Sequence, residues 1–322
     1  MAASGNAQTD GHRALLEIES RFNAKSRGVV LGIQGSQLLA LAMFADLFER
    51  FPYPVMINAA LLKLADWFRT SNNAVKFHIY KVLKNASDEH LARVINIEEM
   101  VRRVTPVLSS NDLLARALTL RVLGCISMII ADNMEVHHAV LERLADATER
   151  VEMEAAIWAT DRLCACSTQF PSIVFPQIIS KLNDPSISFD SKLRLVKVFQ
   201  HMHRDMRMAD KAKAACLELL GTADLGENLV NTILRTMTLL LSEGLIMSQT
   251  STDRTDQVDR LINYLIHDNR EKVRMSALDD LILLARKDMS FDRNQIMASK
   301  EHDFVSRYGM TDIPSNRAFC AS

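Results

Sequence analysis

Glycine and proline are scarce: ten and seven in 322 residues, well under half the usual combined share of about 12%. A sandwich or barrel of many short strands needs a turn roughly every ten residues, so that class is excluded and a helical protein is the default. A surplus of one charge is lacking too, with 38 Lys and Arg against 39 Asp and Glu. No overall basic field drives the chain toward nucleic acid or an anionic membrane, although a local patch stays open. Long apolar runs are also missing. The uncharged stretch from Gly28 to Ala45 is broken by Gln34, Ser36, Gln37 and three glycines, and its uninterrupted part, Leu38 to Ala45, has eight residues. A membrane span needs about 20. The first 27 residues are polar with no apolar signal core, and five cysteines are an odd count. Reduced thiols and an intracellular site are expected.

What is present is enough apolar sequence, 48% of the chain, to bury a core in one large domain or two ordinary ones. It is arranged with a weak internal repeat. Apolar or small residues recur at i, i+4 and i+8 as Val75-Ile79-Leu83, Ala115-Thr119-Leu123, Val151-Ala155-Ala159, Phe189-Leu193-Lys197, Leu229-Ile233-Met237 and Val273-Ala277-Leu281, with starts 36 to 44 residues apart. Such triplets lie within about 80° on a helix, so each predicts one buried stripe. The spacing leaves room for a second antiparallel helix, which is the size of a HEAT or armadillo repeat. Turn and capping residues precede the stripes at Ser71-Asn72-Asn73, Ser109 to Asp112, Asn183-Asp184-Pro185 and His267-Asp268-Asn269. Thr119 and Lys197 sit where small apolar residues are wanted. A helix is predicted from Ser36 to Arg50, stopped by Pro52 and Pro54. The expected organisation is a polar, partly disordered segment over 1–35, an all-α helical-repeat array of HEAT/armadillo type over 36–288, and an irregular tail over 289–322.

Chemistry-bearing residues are few and poorly grouped. Cys164-Ala165-Cys166 and His201-Met202-His203 are the most metal-like features, but residues two apart on a helix point about 200° apart and cannot share one tetrahedral ion. No second Cys or His pair stands at ligand spacing, and adjacent His137-His138 diverge likewise. Gly28, Gly32 and Gly35 lack the Lys-Ser/Thr and the βαβ setting of a phosphate loop. No Gly-flanked nucleophile turn is present and no carboxylate pair is isolated in apolar sequence. Catalytic, cofactor and metal residues are therefore expected to be none. Basic residues cluster at Arg102-Arg103, Arg116/Arg121, Arg204/Arg207 and Arg270/Lys272/Arg274. Those on the second helices would line the concave side of a repeat array, where partners dock. No aromatic residue interleaves with them in the sequence, so direct nucleic-acid binding is not expected. Trp67 and Trp158 are expected in the core.

The wording becomes distinctive at Phe51-Pro52-Tyr53-Pro54-Val55-Met56-Ile57-Asn58-Ala59-Ala60-Leu61-Leu62-Lys63-Leu64-Ala65-Asp66-Trp67-Phe68-Arg69. Together with Ser110 to Gly124, Val151 to Ala159 and Gln200-His201-Met202-His203, it resembles the N-terminal region of the Integrator complex subunit 7 family. The resemblance implies an all-helical scaffold within a nuclear assembly that associates with RNA polymerase II, cleaves nascent RNA and processes small nuclear RNA 3′ ends. It implies other Integrator subunits as partners, polymerase and nascent RNA as indirect ones, no cofactor, and catalysis in a different subunit. It also implies full-length members considerably longer than this chain. The alternative from the residues alone is a free-standing solenoid adaptor of the adaptin or nuclear-transport kind, with a cytoplasmic location. A hydrolase or metal enzyme has no motif behind it.

Overall fold

The computed structural model describes residues 2–24, 32–86, 88–222, 225–244 and 251–287, and every regular element among them is helical. The chain forms two compact units, Met1–Ala215 and Cys216–Ser322. The first contains α1 (Ala2–Phe22), α2 (Gly35–Arg50), α3 (Pro54–Thr70), α4 (Asn73–Asn85), the short α5 (Asp88–Leu91), α6 (Ile97–Val104), α7 (Leu113–Cys125), α8 (Met134–Asp146), α9 (Arg150–Cys166), α10 (Phe170–Asn183) and α11 (Phe189–Val198). Two tight helical turns, Thr105–Ser109 and Phe199–Arg204, follow α6 and α11. Helices α2, α4, α7, α9 and α11 pack side by side in one layer; α3, α6, α8 and α10 form the second. This is the two-layer plan of a helical-repeat protein, in which each helix pair buries its apolar stripe against its neighbours.

Local chemistry sets the starts. Asn72 Oδ1 accepts from the Val75 amide at 3.0 Å, Asp112 Oδ1 from Leu114 and Ala115, Asn133 Oδ1 from Val136, and Ser188 Oγ from Ser191. Each satisfies an amide that the first turn of its helix leaves without a partner. Pro54 opens α3 at its first position, where no backbone donor is needed.

The predicted stripes hold in part. Val75, Ile79 and Leu83, and Ala115, Thr119 and Leu123, are all buried. Thr119 fits because its hydroxyl donates to the Ala115 carbonyl at 2.7 Å, which removes the cost of burying it. In α9 the stripe is turned: Val151 is 50% exposed, while Met153, Ala156 and Ile157 join Ala155 and Ala159 in the core. In α11 the expected stripe is on the wrong side. Phe189 and Lys197 face solvent and Ser191, Leu195 and Val198 are buried, because a ten-residue helix carries too few apolar positions to fix its phase from sequence.

The 1–35 segment is corrected over most of its length. Ala2–Phe22 is helix α1, packed on α2 and α3, with Leu15, Ile18 and Phe22 buried. Three apolar residues at i, i+3 and i+7 were enough to anchor a helix whose remaining positions are polar. The predicted tail over 289–322 lies outside the described residues.

Helix α12 (Met206–Leu220) begins in the first unit's sequence and ends in the second's. The second unit continues with α13 (Glu227–Gly244), α14 (Ser251–His267) and α15 (Glu271–Lys287). Val230, Leu234, Leu261, Val273, Ala277 and Leu284 make its core. Ahead of α15, the Arg270 guanidinium donates to both carboxylate oxygens of Asp268 at 2.9 and 2.7 Å and to the Leu225 carbonyl at 2.8 Å. The Arg270 bonds hold the Asp268 carboxyl below its ordinary 3.8. A depressed carboxylate contributes stability above its unfolded value and loses it as pH falls through the folded one. Acid titration of Asp268→Asn, followed by circular dichroism, is therefore expected to show less loss of stability below about pH 4 than the parent chain.

Candidate interaction surface

The metal-like residues are absorbed by the fold. Cys164 is fully buried, and burial pushes its thiol well up; Cys166 Sγ lies 3.5 Å from Ser127 Oγ instead. His201 Nε2 meets Asp161 at 2.9 Å and His203 Nδ1 meets the Gln200 carbonyl. His137 is buried against Phe170 with Nε2 on the Ala131 carbonyl, whereas His138 is exposed. Among the described residues no three His, Cys, Asp or Glu come together in a group able to hold a metal. Gly28 lies outside the described residues, Gly32 takes a positive φ of 99° and Gly35 opens α2.

Most of the arginines singled out above brace the structure. Arg103 of α6 reaches Asp66 at 2.6 Å and the Leu62 carbonyl on α3. Arg116 of α7 forms a two-pronged pair with Glu152 of α9, both contacts 2.7 Å. Arg204 caps the C-terminus of α9 through the carbonyls of Ala165, Cys166 and Ser167. Lys272 pairs with Glu227 at 3.3 Å and Arg274 donates to the Asp268 carbonyl. Arg102 is exposed and paired with Glu99, and Arg207 is exposed.

Arg121 is different. Its guanidinium sits 5.2 Å from the ring centre of Trp158, and the Tyr80 ring meets that indole edge-on at 6.5 Å. Three successive helices of the first layer thus converge: α4 gives Tyr80, α7 gives Arg121 and α9 gives Trp158. Gly124 makes this possible, since a Cβ there would come within 2.3 Å of the indole. Lys84 of α4, Arg162 of α9 and Arg194 of α11 share neighbours with Arg121, and Lys81 and Lys197 are exposed on α4 and α11. Lys81 rests 4.7 Å from the exposed Phe77 ring. Lys84, Arg121 and Arg162 all bear on Cys125, whose thiol burial nevertheless raises to about 11. Arg121 and Arg194 bear on Glu154, which Arg150 already holds as a carboxylate. Among the described residues, none of the six cations from Lys81 to Lys197 forms a salt bridge. Trp158, expected in the core, is only partly buried, and the fold brings it and Tyr80 beside Arg121, although no aromatic residue interleaves with that arginine in the sequence. Trp67 does lie in the core, stacked on Phe22 at 3.7 Å.

Next to Lys81 the face opens into a pocket of about 250 Å³ between α2 and α4. Its walls include Leu38, Leu41, Ala42, Phe48, His78 and Val82, with Lys81 among the lining residues. Burial and the neighbouring Lys81 lower the pKa of His78, which favours the neutral ring.

Residues 27–301 match a family model described as the N-terminal part of Integrator complex subunit 7. The chain belongs to the Integrator complex subunit 7 family. It is 36% identical over 286 residues to Integrator complex subunit 7 of Gallus gallus and 35% to that of Homo sapiens, in each case over 89% of this chain. The Dictyostelium discoideum homolog is 33% identical over 81% of it. The chain spans 28% of the length of the first two relatives and 24% of the third. Among solved structures, an engineered protein superposes with a TM-score of 0.51 over 84% of this chain and 68% of its own, at 12% identity. A designed armadillo repeat protein, solved with the peptide (KR)4, gives 0.51 over 70% and 99%, at 13% identity. Both likenesses concern the fold, and they agree with the armadillo/HEAT-type helical repeat expected from the sequence. No helix among the described residues is long and apolar enough to cross a membrane.

In this Integrator subunit 7 family chain the pairing of Gly124 with Trp158 gives a sharp test. Gly124→Ala gains about 1 kcal/mol of helix propensity but forces the indole off α7, an overpacking cost of about 1–3 kcal/mol. The expected result is net destabilisation together with a shift in Trp158 fluorescence, read against a Trp67→Phe background.

Proposed function

We propose that the chain acts as a non-catalytic helical-repeat scaffold of the Integrator complex, supporting small nuclear RNA 3′-end processing and RNA polymerase II regulation in the nucleus. Its direct partners are other Integrator subunits, and polymerase and nascent RNA are reached through them. The observation that carries this is the family match along residues 27–301, within which the proposed repeat array spans 36–288. The side-chain chemistry agrees. The thiols of Cys125, Cys164 and Cys216 are pushed up by burial, the opposite of what a nucleophilic cysteine needs, and the inter-helix ion pairs hold neighbouring repeats together.

A scaffold acts by holding long, rigid surfaces in fixed register, which the stacked layers provide. Affinity purification of the tagged chain from nuclear extract, followed by mass spectrometry, tests the proposal. Recovery of Integrator subunits is expected. Their absence, with recovery of transport or coat proteins from cytoplasm, would overturn it in favour of a free-standing adaptor.

A further inference from the structure

The two layers of the first unit differ in charge. Helices α2, α4, α7, α9 and α11 carry eleven basic and six acidic residues, two of the acidic ones on α2, and α4 and α7 carry no acidic one at all. Helices α3, α6, α8 and α10 carry six of each. In a chain of net charge −1 this is a local field, and it is unspent: the cations at Lys81, Lys84, Arg121, Arg162, Arg194 and Lys197 have no salt-bridge partner among the described residues. Alongside them runs exposed apolar surface. Phe77, Leu114 and Val151 are 42%, 49% and 50% exposed, each lying one to three turns N-terminal to a cation on the same side of its helix. The row ends at the largely apolar pocket between α2 and α4, which both Lys81 and Glu49 border.

We propose that this face binds an extended acidic peptide segment, its carboxylates along the row from Lys81 to Arg162 and one large apolar side chain in the α2–α4 pocket.

Charge complementarity selects an anionic occupant. The apolar features select a peptide over a nucleic acid, because a phosphate backbone has nothing to place against Phe77, Leu114, Val151 or the pocket. Base stacking needs a free aromatic face; the Trp158 indole is already covered by Gly124, Arg121 and Tyr80, and Lys81 lies over the Phe77 ring at 4.7 Å. Neighbouring helices lie about 10 Å apart. From α2 to α9 the row spans about 30 Å, or about nine residues of extended chain. Three acidic groups stand in or beside the row: Arg150 holds Glu154 at 2.9 Å, His201 meets Asp161 at 2.9 Å, and Glu49 lines the pocket together with Lys81.

The proposal concerns this surface and stands apart from Integrator membership. It is tested on the 322-residue chain with a fluorescein-labelled probe of about ten residues, glutamates and aspartates flanking one phenylalanine, by fluorescence anisotropy. Saturable binding that weakens as salt rises is expected. Changing the probe's phenylalanine to alanine is expected to weaken it further. Lys81→Glu with Lys84→Glu, both exposed, is expected to reduce affinity about tenfold or more. Arg69→Glu with Arg102→Glu, exposed on the other layer, changes net charge equally and is expected to leave it within about twofold. Equal losses in the two double variants would overturn the proposal, as would the absence of saturable binding. Tighter binding of a single-stranded uridine RNA of matched charge would overturn it in favour of a nucleic-acid surface. Circular dichroism of both double variants, expected to match the parent, separates lost binding from lost folding.

Discussion

Glu152→Ala is expected to lower the stability of the first unit by about 3 kcal/mol, the low end of the roughly 3–5 kcal/mol for breaking a buried ion pair. Glu152 exposes 4% of its side chain and Arg116 18%. The substitution takes both carboxylate oxygens from the guanidinium and leaves it the Ser110 carbonyl at 2.9 Å. The cost arises chiefly from a half-buried cation without its counter-charge. Arg116→Met with Glu152→Leu is therefore expected to recover most of the loss, since apolar replacement of a whole buried pair is often neutral or better. Urea unfolding followed by tryptophan emission checks both, because Trp67 and Trp158 are the two tryptophans and both lie in this unit. A loss below about 1 kcal/mol for Glu152→Ala would mean that solvent screens the pair as it does surface pairs. Since the pair joins adjacent repeats, the same variant is also expected to steepen the dependence of the proposed scaffold's assembly on temperature.

The helical class and several helix starts were legible because they depend on local signals. Too few turn formers excluded a many-stranded fold, and Asn72, Asp112 and Asp268 marked starts through their side-chain chemistry. The phase of α11 was not legible, since its burial is decided by what α9 and α10 present to it. The face proposed above to bind a peptide was not legible for a related reason. Tyr80, Arg121 and Trp158 are about 40 residues apart in sequence and become neighbours only when α4, α7 and α9 stack, while Lys76 to Lys81, which holds Phe77 and Tyr80 among its cations, was not among the basic clusters singled out. The repeat spacing itself was the available signal: aligning the three helices in register would have set the three residues near one another. Arg116 and Arg121 look alike in sequence, five positions apart, yet one faces Glu152 inside the layer and the other faces Trp158 at its surface. A rotation of about 140° around α7 separates a brace from a candidate contact.

Phe22→Ala carries the second large effect. Sequence patterning left α1 outside the array, but the Phe22 ring lies nearly parallel to Trp67, 3.7 Å between centres and 7° between planes, and Trp67 in turn meets Phe44 edge-on at 5.9 Å. Phe22 is 6% exposed and Phe44 fully buried, so the three rings form one closed cluster joining α1, α2 and α3. Truncating the outer ring removes its transfer energy, opens a cavity above the indole and ends the stacking contact, together about 3–5 kcal/mol. The Lys63 to Glu19 ion pair at 2.6 Å, a further tie between α3 and α1, is part exposed on both sides and contributes at most about 1 kcal/mol, too little to compensate. The expected result is a lower unfolding midpoint with Trp67 emission shifted to the red in the native state, because the indole then meets water. Leu16→Ala, at 64% exposure on the same helix, is expected to cost less than about 0.5 kcal/mol. Equal small losses for both would mean that α1 only rests on the repeat array. A large loss confined to Phe22 would make α1 a structural part of the array, covering apolar surface on α2 and α3 that would otherwise meet water.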